Sequence, residues 1–166
     1  MPGCCICIST ADCIPVLLYD RQRRIVAAVH AGWRGTVNRI LAKTLHRMQS
    51  AYGTRGTDVI ACIGPGISLD SFEVGDEVYE VFRTENFPME YISVWKPETH
   101  KYHIDLWAAN RLQLSDFGVP PRQIENAGIC TYRQHEDFFS ARRLGIKSGR
   151  ILSGIMLNGQ EKEERK

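Results

Sequence analysis

The chain has 166 residues, a mass of 18.8 kDa and a formal net charge of +2, with 43% hydrophobic and 24% charged residues. That length matches a single domain, since domains most often run to roughly 100–150 residues, and the composition excludes a disordered chain. The near balance of 21 Lys+Arg against 19 Asp+Glu excludes a dedicated nucleic-acid binder, and no apolar run approaches the roughly 20 residues a membrane helix needs.

Cys4 to Ser9 is short and apolar, which predicts a buried strand. Ile14 to Tyr19 is a second strand, with Pro15 confined to its start or to a sheet edge. Asp20 to Arg24 is a polar turn, and Ile25 to His30 returns as a third strand, so 14–30 reads as a hairpin. After Ala31-Gly32-Trp33-Arg34-Gly35, the residues Val37, Ile40, Leu41, Leu45, Met48 and Tyr52 recur at helical spacing, with Thr36 as the expected cap and Gly53 as the stop. Asp58 to Ile63 is a strand ended by Gly64-Pro65-Gly66. Val74, Val78, Val81 and Phe82 mark a second helix, Tyr91 to Trp95 a strand, and Asp105 caps a third helix closed by Gly118. Ala127 to Tyr132 and Ile151 to Leu157 are the last two strands, and the charged run 160–166 is a tail beyond a domain of 1–159. Helices interspersed with strands, some of them hairpin-linked, predict a mixed-sheet α+β or α/β domain.

Six cysteines lie at 4, 5, 7, 13, 62 and 130. The chain start carries neither the charged region nor the apolar core of a secretion signal, so the thiols are expected reduced, in a cytoplasmic protein, mostly as small core residues. Cys4-Cys5-x-Cys7 follows strand spacing rather than that of a ligand clamp, and His100-x-x-His103 falls in a loop or strand, where helical ligand spacing has no meaning.

Two stretches combine reactive side chains with loop geometry. In Thr10-Ala11-Asp12-Cys13, polar groups at a junction of apolar strands need hydrogen-bond partners. In His30 to Gly35, glycines permit close backbone approach, a helix N-terminus favours an anion, and Arg34 adds a cation with a bidentate fork. Cys13 enters one strand of the hairpin and His30 leaves the other, so the fold brings both to one end. A thiolate and an imidazole there serve either as two ligands of a zinc site or as a nucleophile and its base, with Asp12 as orienter. Cys130 to Tyr132 and Ser140 to Arg143 are candidate polar walls or anion contacts.

TADCIPVLLYD (10–20) and VAAVHAGWRGTVNRI (26–40) resemble the core signature of the YfiH family, which also carries the labels laccase domain, polyphenol oxidoreductase and purine nucleoside phosphorylase. The resemblance continues through IGPGI (63–67), FEVGDEV (72–78), HIDLWAANRLQL (103–114), GICTY (128–132) and FFSARR (138–143), in order along nearly the whole chain. It implies an α+β fold with two mixed sheets flanked by helices, similar to a toxin deamidase, and a zinc pocket with one Cys and two His ligands. Cys13 and His30 match two of these ligands. The other His belongs to a Gln-x-His-Gly motif upstream of TADC, which is absent here, so the chain reads as lacking an N-terminal part. His100, His103 and His135 do not match that motif.

The resemblance further implies phosphorolysis of adenosine, inosine and methylthioadenosine, with adenosine deamination. Purine nucleosides and phosphate are then the partners, with phosphate expected at the Arg34-Gly35 helix start. Asp12 would orient the site, and Cys13 would lie close to the reacting atoms. Copper is also attached to the family, but a multicopper oxidase needs many histidines and five are present. The alternatives are an amide hydrolase acting on a peptidoglycan precursor through Cys13 and His30, or a non-catalytic form. Missing N-terminal strands would leave a sheet edge unpaired, which favours a homo-oligomer.

Overall fold

A computed structural model describes residues 2–145 and 147–159, so the charged run 160–166 lies outside the described residues. The fold is α+β, as expected. A four-stranded sheet in the order β3-β2-β4-β8 forms its centre, built from β2 (Ile14–Asp20), β3 (Ile25–Ala31), β4 (Val59–Ile63) and β8 (Ile124–Asn126). It is mixed, because β4 and β8 run parallel while the other pairs are antiparallel. Two smaller antiparallel sheets accompany it. One pairs β1 (Cys5–Thr10) with β9 (Ile151–Met156). The other has the order β5-β7-β6, from β5 (Glu73–Val74), β6 (Ser93–Lys96) and β7 (Lys101–Ile104).

The central sheet buries one face. In β2 the side chains of Ile14, Val16 and Leu18 are fully enclosed, and in β4 Val59, Ala61 and Ile63 alternate with exposed Ile60 and Cys62. That period of two turns every second side chain to the same core. The core is completed by Leu41, Leu45 and Met48 on α2 (Ile40–Tyr52) and by Leu106, Ala109 and Leu114 on α5 (Leu106–Asp116). Pro15 sits near the start of β2, and its carbonyl accepts from the Gly64 N–H at 2.8 Å.

The caps at Gly53 and Asp105 form as predicted. Gly53 closes α2 with φ 70°, and the Asp105 carboxylate accepts from the Ala108 N–H at 2.9 Å. Thr36 is not a cap. It lies inside a separate short helix, α1 (Trp33–Val37), fully buried, and its hydroxyl donates to the Ala31 carbonyl. The chain breaks at Arg39, whose φ of 58° ends α1 and redirects the backbone into α2. The second helix, α3 (Asp76–Thr84), starts after Val74, which belongs to β5. Tyr91 ends up in the one-turn α4 (Met89–Ile92), just before β6.

Residues 127–132 do not form a strand. β8 ends at Asn126, and an isolated bridge from Gly66 to Cys130 is their only ladder contact among the described residues. The cysteines also depart from expectation: Cys4, Cys5, Cys7 and Cys62 are exposed, Cys13 is half-buried and only Cys130 is buried. Among the described residues β1 pairs only with β9 and lies outside the four-stranded sheet; the ribbon packs beside β2 and β3, with Cys5, Ile6 and Cys7 left exposed. Among the described residues no helix is long and apolar enough to cross a membrane.

A buried polar network seats α1 on α5. Asn110 Nδ2 donates to Thr36 Oγ1 at 3.1 Å, Gln113 Nε2 donates to the Thr36 carbonyl at 3.3 Å, and Gln113 Oε1 accepts from the Ala42 N–H at 3.2 Å. Removing one partner of such a network strands the others without water. Asn110→Ala is therefore expected to lower unfolding free energy by about 1–3 kcal/mol, read from urea denaturation. An unchanged midpoint would show that α1 is held by apolar packing alone.

Candidate functional site

The β2–β3 hairpin sets the site. Its register pairs Pro15 with His30 and Ile14 with Ala31, so Cys13 and Gly32 follow at the same open end. Here the absence of a side chain at Gly32 matters: a Cβ would sit 2.8 Å from Cys13 Sγ and 3.8 Å from His30 Nε2. The thiol and imidazole thus converge on one point above the Gly32 backbone. With Trp33, Arg34 and Gly35 they line an open pocket of about 320 Å³. Of the residues singled out in the sequence, the structure brings Cys13, His30, Arg34 and Gly35 to one pocket.

Asp12 is arranged differently. It is buried, with φ 76°, a conformation that Asp tolerates better than most residues. Its carboxylate turns to the other side of the chain, where Oδ1 accepts from Thr131 Oγ1 at 2.7 Å and Oδ2 from the Arg142 N–H at 2.6 Å. Its carbonyl accepts from the Ile67 N–H at 2.9 Å. Asp12 therefore fixes the turn that presents Cys13, and no hydrogen bond joins it to His30. The Arg34 guanidinium lies 4.2 Å over the ring of Trp33, and α1 spans only five residues, so its N-terminus is a weak anion cradle.

Burial pushes the Cys13 thiol above its usual range; the charge of Asp12 adds to this and Arg150 opposes it. Cys130 behaves in the opposite way. Burial alone would raise it, but hydrogen bonding with the Ser68 and Ser71 hydroxyls and from the backbone N–H groups of Ser68 and Arg133 holds it below the usual range. Ser68 Oγ donates to its sulfur at 3.1 Å. The sequence singled out Cys130 as a candidate polar wall but not this lowered thiol, because its serine partners lie some sixty positions away.

Soft sulfur and imidazole nitrogen suit a zinc ion or a copper ion, and two such donors meet at Gly32. Among the described residues no group of three His, Cys, Asp or Glu gathers, so Cys13 and His30 are two donors without a third beside them.

An α+β chain with a thiol–imidazole pair at a hairpin end is the class that fold and site define. The chain belongs to the family described as multi-copper polyphenol oxidoreductase laccase, which matches residues 1–158. It is 64% identical over 157 residues to a purine nucleoside phosphorylase of Bacteroides thetaiotaomicron, covering 95% of this chain and 58% of that protein. It is 48% identical over 155 residues to adenosine deaminase RL5 of an unknown prokaryotic organism, covering 93% and 59%. The crystal structure of the Bacillus licheniformis hypothetical protein YfiH superposes with a TM-score of 0.88 at 34% identity, over 95% of this chain and 59% of that one. The chain thus spans a little under three fifths of the length of these relatives.

The raised Cys13 thiol gives a direct expectation. A raised value means the thiolate appears only at higher pH, so alkylation of the Cys13 peptide, followed by mass spectrometry, should reach half-maximal rate above the pH found for free cysteine. A midpoint below that of free cysteine would mean His30 activates the thiol. Asp12→Asn keeps a residue suited to positive φ but replaces one acceptor with a donor facing an N–H or O–H. It is expected to cost about 1–3 kcal/mol in thermal unfolding.

Proposed function

We propose that this chain carries the metal-binding part of a purine nucleoside phosphorylase site that also deaminates adenosine. The observation that carries the reading is the meeting of Cys13 Sγ and His30 Nε2 over Gly32. The names of the relatives support the reaction class. Adenosine, inosine and methylthioadenosine are the proposed nucleosides, with phosphate as co-substrate.

Cys13 and His30 would hold zinc, which suits one thiolate and one imidazole without redox chemistry. When bound, the ion would supply Lewis-acid polarisation of a substrate group. The chain's own residues do the rest. Gly32 leaves the space in which donors and substrate meet. Trp33 offers an aromatic wall, and Arg34 with the Gly35 backbone borders the pocket and would contact substrate. Asp12 holds Cys13 in place through its own backbone. Further ligands must come from outside the pair.

A cysteine hydrolase is the competing reading, and two observations weigh against it. The Cys13 thiol is raised rather than lowered, and the Asp12 carboxylate is engaged by Thr131 and Arg142 instead of orienting His30. Six free thiols support a reducing, cytoplasmic setting. The two-stranded β1–β9 ribbon, with no further strand paired to it among the described residues, supports self-association.

Zinc content and inosine phosphorolysis are to be measured on the same purified sample. Cys13→Ser and His30→Ala are each expected to lower bound zinc and to cut turnover by about 100-fold or more. Chelation should abolish turnover, and added zinc should restore it. Full turnover by Cys13→Ser would overturn the proposal.

A further inference from the structure

A second pocket is larger than that of Cys13. It measures about 390 Å³ and lies on the other side of Asp12. Four segments far apart in sequence meet there: Asp70 to Glu73, His103 on β7, Tyr132 with Arg133, and Arg142 on the short helix α6 (Ala141–Leu144). A volume of a few hundred Å³ suits a small-molecule ligand.

Its charges are unevenly satisfied. The Glu73 carboxylate is paired with Lys101 at 3.1 Å, which holds that carboxyl below its usual range. Asp70 is paired with Arg133 at 3.1 Å and with Lys96 at 3.8 Å. Arg142 has no carboxylate partner among the described residues. Its Nη1 donates to the Glu73 carbonyl at 2.9 Å, its guanidinium lies 5.4 Å from the centre of the Phe72 ring, and its backbone N–H serves Asp12. The Arg142 guanidinium is thus solvent-exposed at the pocket and free of any carboxylate among the described residues.

His103 adds a second, independent observation. Its side chain is only 9% exposed, with Nδ1 at 2.9 Å from the Leu69 carbonyl. Nε2 is buried with no hydrogen-bond partner, and the nearest charged atom, Glu73 Oε2, is 3.8 Å away. A buried polar atom left unpaired at a cavity wall is costly unless a ligand completes it.

We propose that this cavity binds a phosphoryl oxyanion, as inorganic phosphate or as the phosphate of a pentose phosphate. Arg142 supplies the free cation and planar donor fork, with Arg133 at the rim. His103 Nε2 completes the shell, accepting from a P–OH group or, when protonated, donating to a P–O oxygen. The paired carboxylate of Glu73 is placed to take sugar hydroxyls. The link to catalysis rests on the phosphorolysis reading; the binding itself does not. It moves the phosphate site from the Arg34-Gly35 turn to the far side of Asp12, whose backbone continues into Cys13.

Isothermal titration of the chain with inorganic phosphate, and separately with ribose 5-phosphate, tests this. Wild-type protein is expected to bind, and Arg142→Gln and Arg133→Gln are each expected to weaken binding by about 10-fold or more. Arg122→Gln, at an exposed arginine away from the cavity, should bind as wild type. Arg142→Gln retains the backbone N–H to Asp12, and a circular-dichroism melt checks its fold, while Arg133 is too exposed for its loss to threaten the core. Tighter binding of ribose 5-phosphate assigns the sugar phosphate; equal or tighter binding of phosphate assigns the free anion. No binding of either, or equal binding by wild type and both cavity variants, overturns the proposal. Phosphate binding without phosphorolysis keeps this cavity and removes the phosphorolysis reading. Phosphorolysis with a KM for phosphate unmoved by Arg142→Gln does the reverse.

Discussion

One buried carboxylate organises the functional end of this molecule. Asp12 stands where β1 gives way to β2, and its two oxygens take a hydroxyl from Thr131 and an amide from Arg142 while its carbonyl takes the Ile67 amide. A charge enclosed in protein is tolerable only when its oxygens are hydrogen-bonded, and bonds to an ionised acceptor are about twice as strong as neutral ones. The need to satisfy this anion therefore draws the segments of Thr131 and Arg142 together, while the Asp12 carbonyl holds that of Ile67. Cys13, the next residue, inherits its position from that arrangement, and so does Arg142 on the opposite side.

The second constraint is the β2–β3 hairpin, whose register returns His30 to the end where Cys13 begins. Two strands of a tight hairpin bring their ends together whatever the side chains are, so the thiol–imidazole pair follows directly from topology. Gly32 then decides whether the two side chains can share a ligand, because any larger residue would press on the sulfur. Rigid strands hold the donors, the α1–α5 polar network holds the adjoining turn, and the pocket faces outward. That arrangement agrees with the family assignment and with the α+β fold shared with YfiH.

Much of this was legible in the residues. The apolar runs Ile14 to Tyr19 and Ile25 to His30, separated by a polar turn, mark the hairpin, and that alone joins Cys13 to His30. Gly53 and Asp105 act as caps because their chemistry is local. What escaped the sequence depends on partners remote along the chain. Thr36 has a cap's composition, yet Asn110 claims its hydroxyl from seventy-four positions away. The apolar start has the composition of a core strand, yet among the described residues β9 is its only pairing partner. Asp12 was readable as a polar group needing satisfaction, but not that Thr131 and Arg142 would provide it. The cavity of His103 and Arg142 has no local signature, since no two of its four segments are neighbours in sequence.

The central claim is that Cys13, alone among six cysteines, joins His30 in holding a metal ion. Cobalt substitution tests it most directly, because a thiolate bound to Co(II) gives a sulfur-to-metal charge-transfer absorption that an unbound thiol does not. Titration of the reduced chain with Co(II) should develop that band. It should be lost in Cys13→Ser, weakened in His30→Ala, and kept in Cys62→Ser and in a Cys5→Ser/Cys7→Ser double variant. A band of undiminished strength in Cys13→Ser would contradict the account, because the metal would then be held elsewhere.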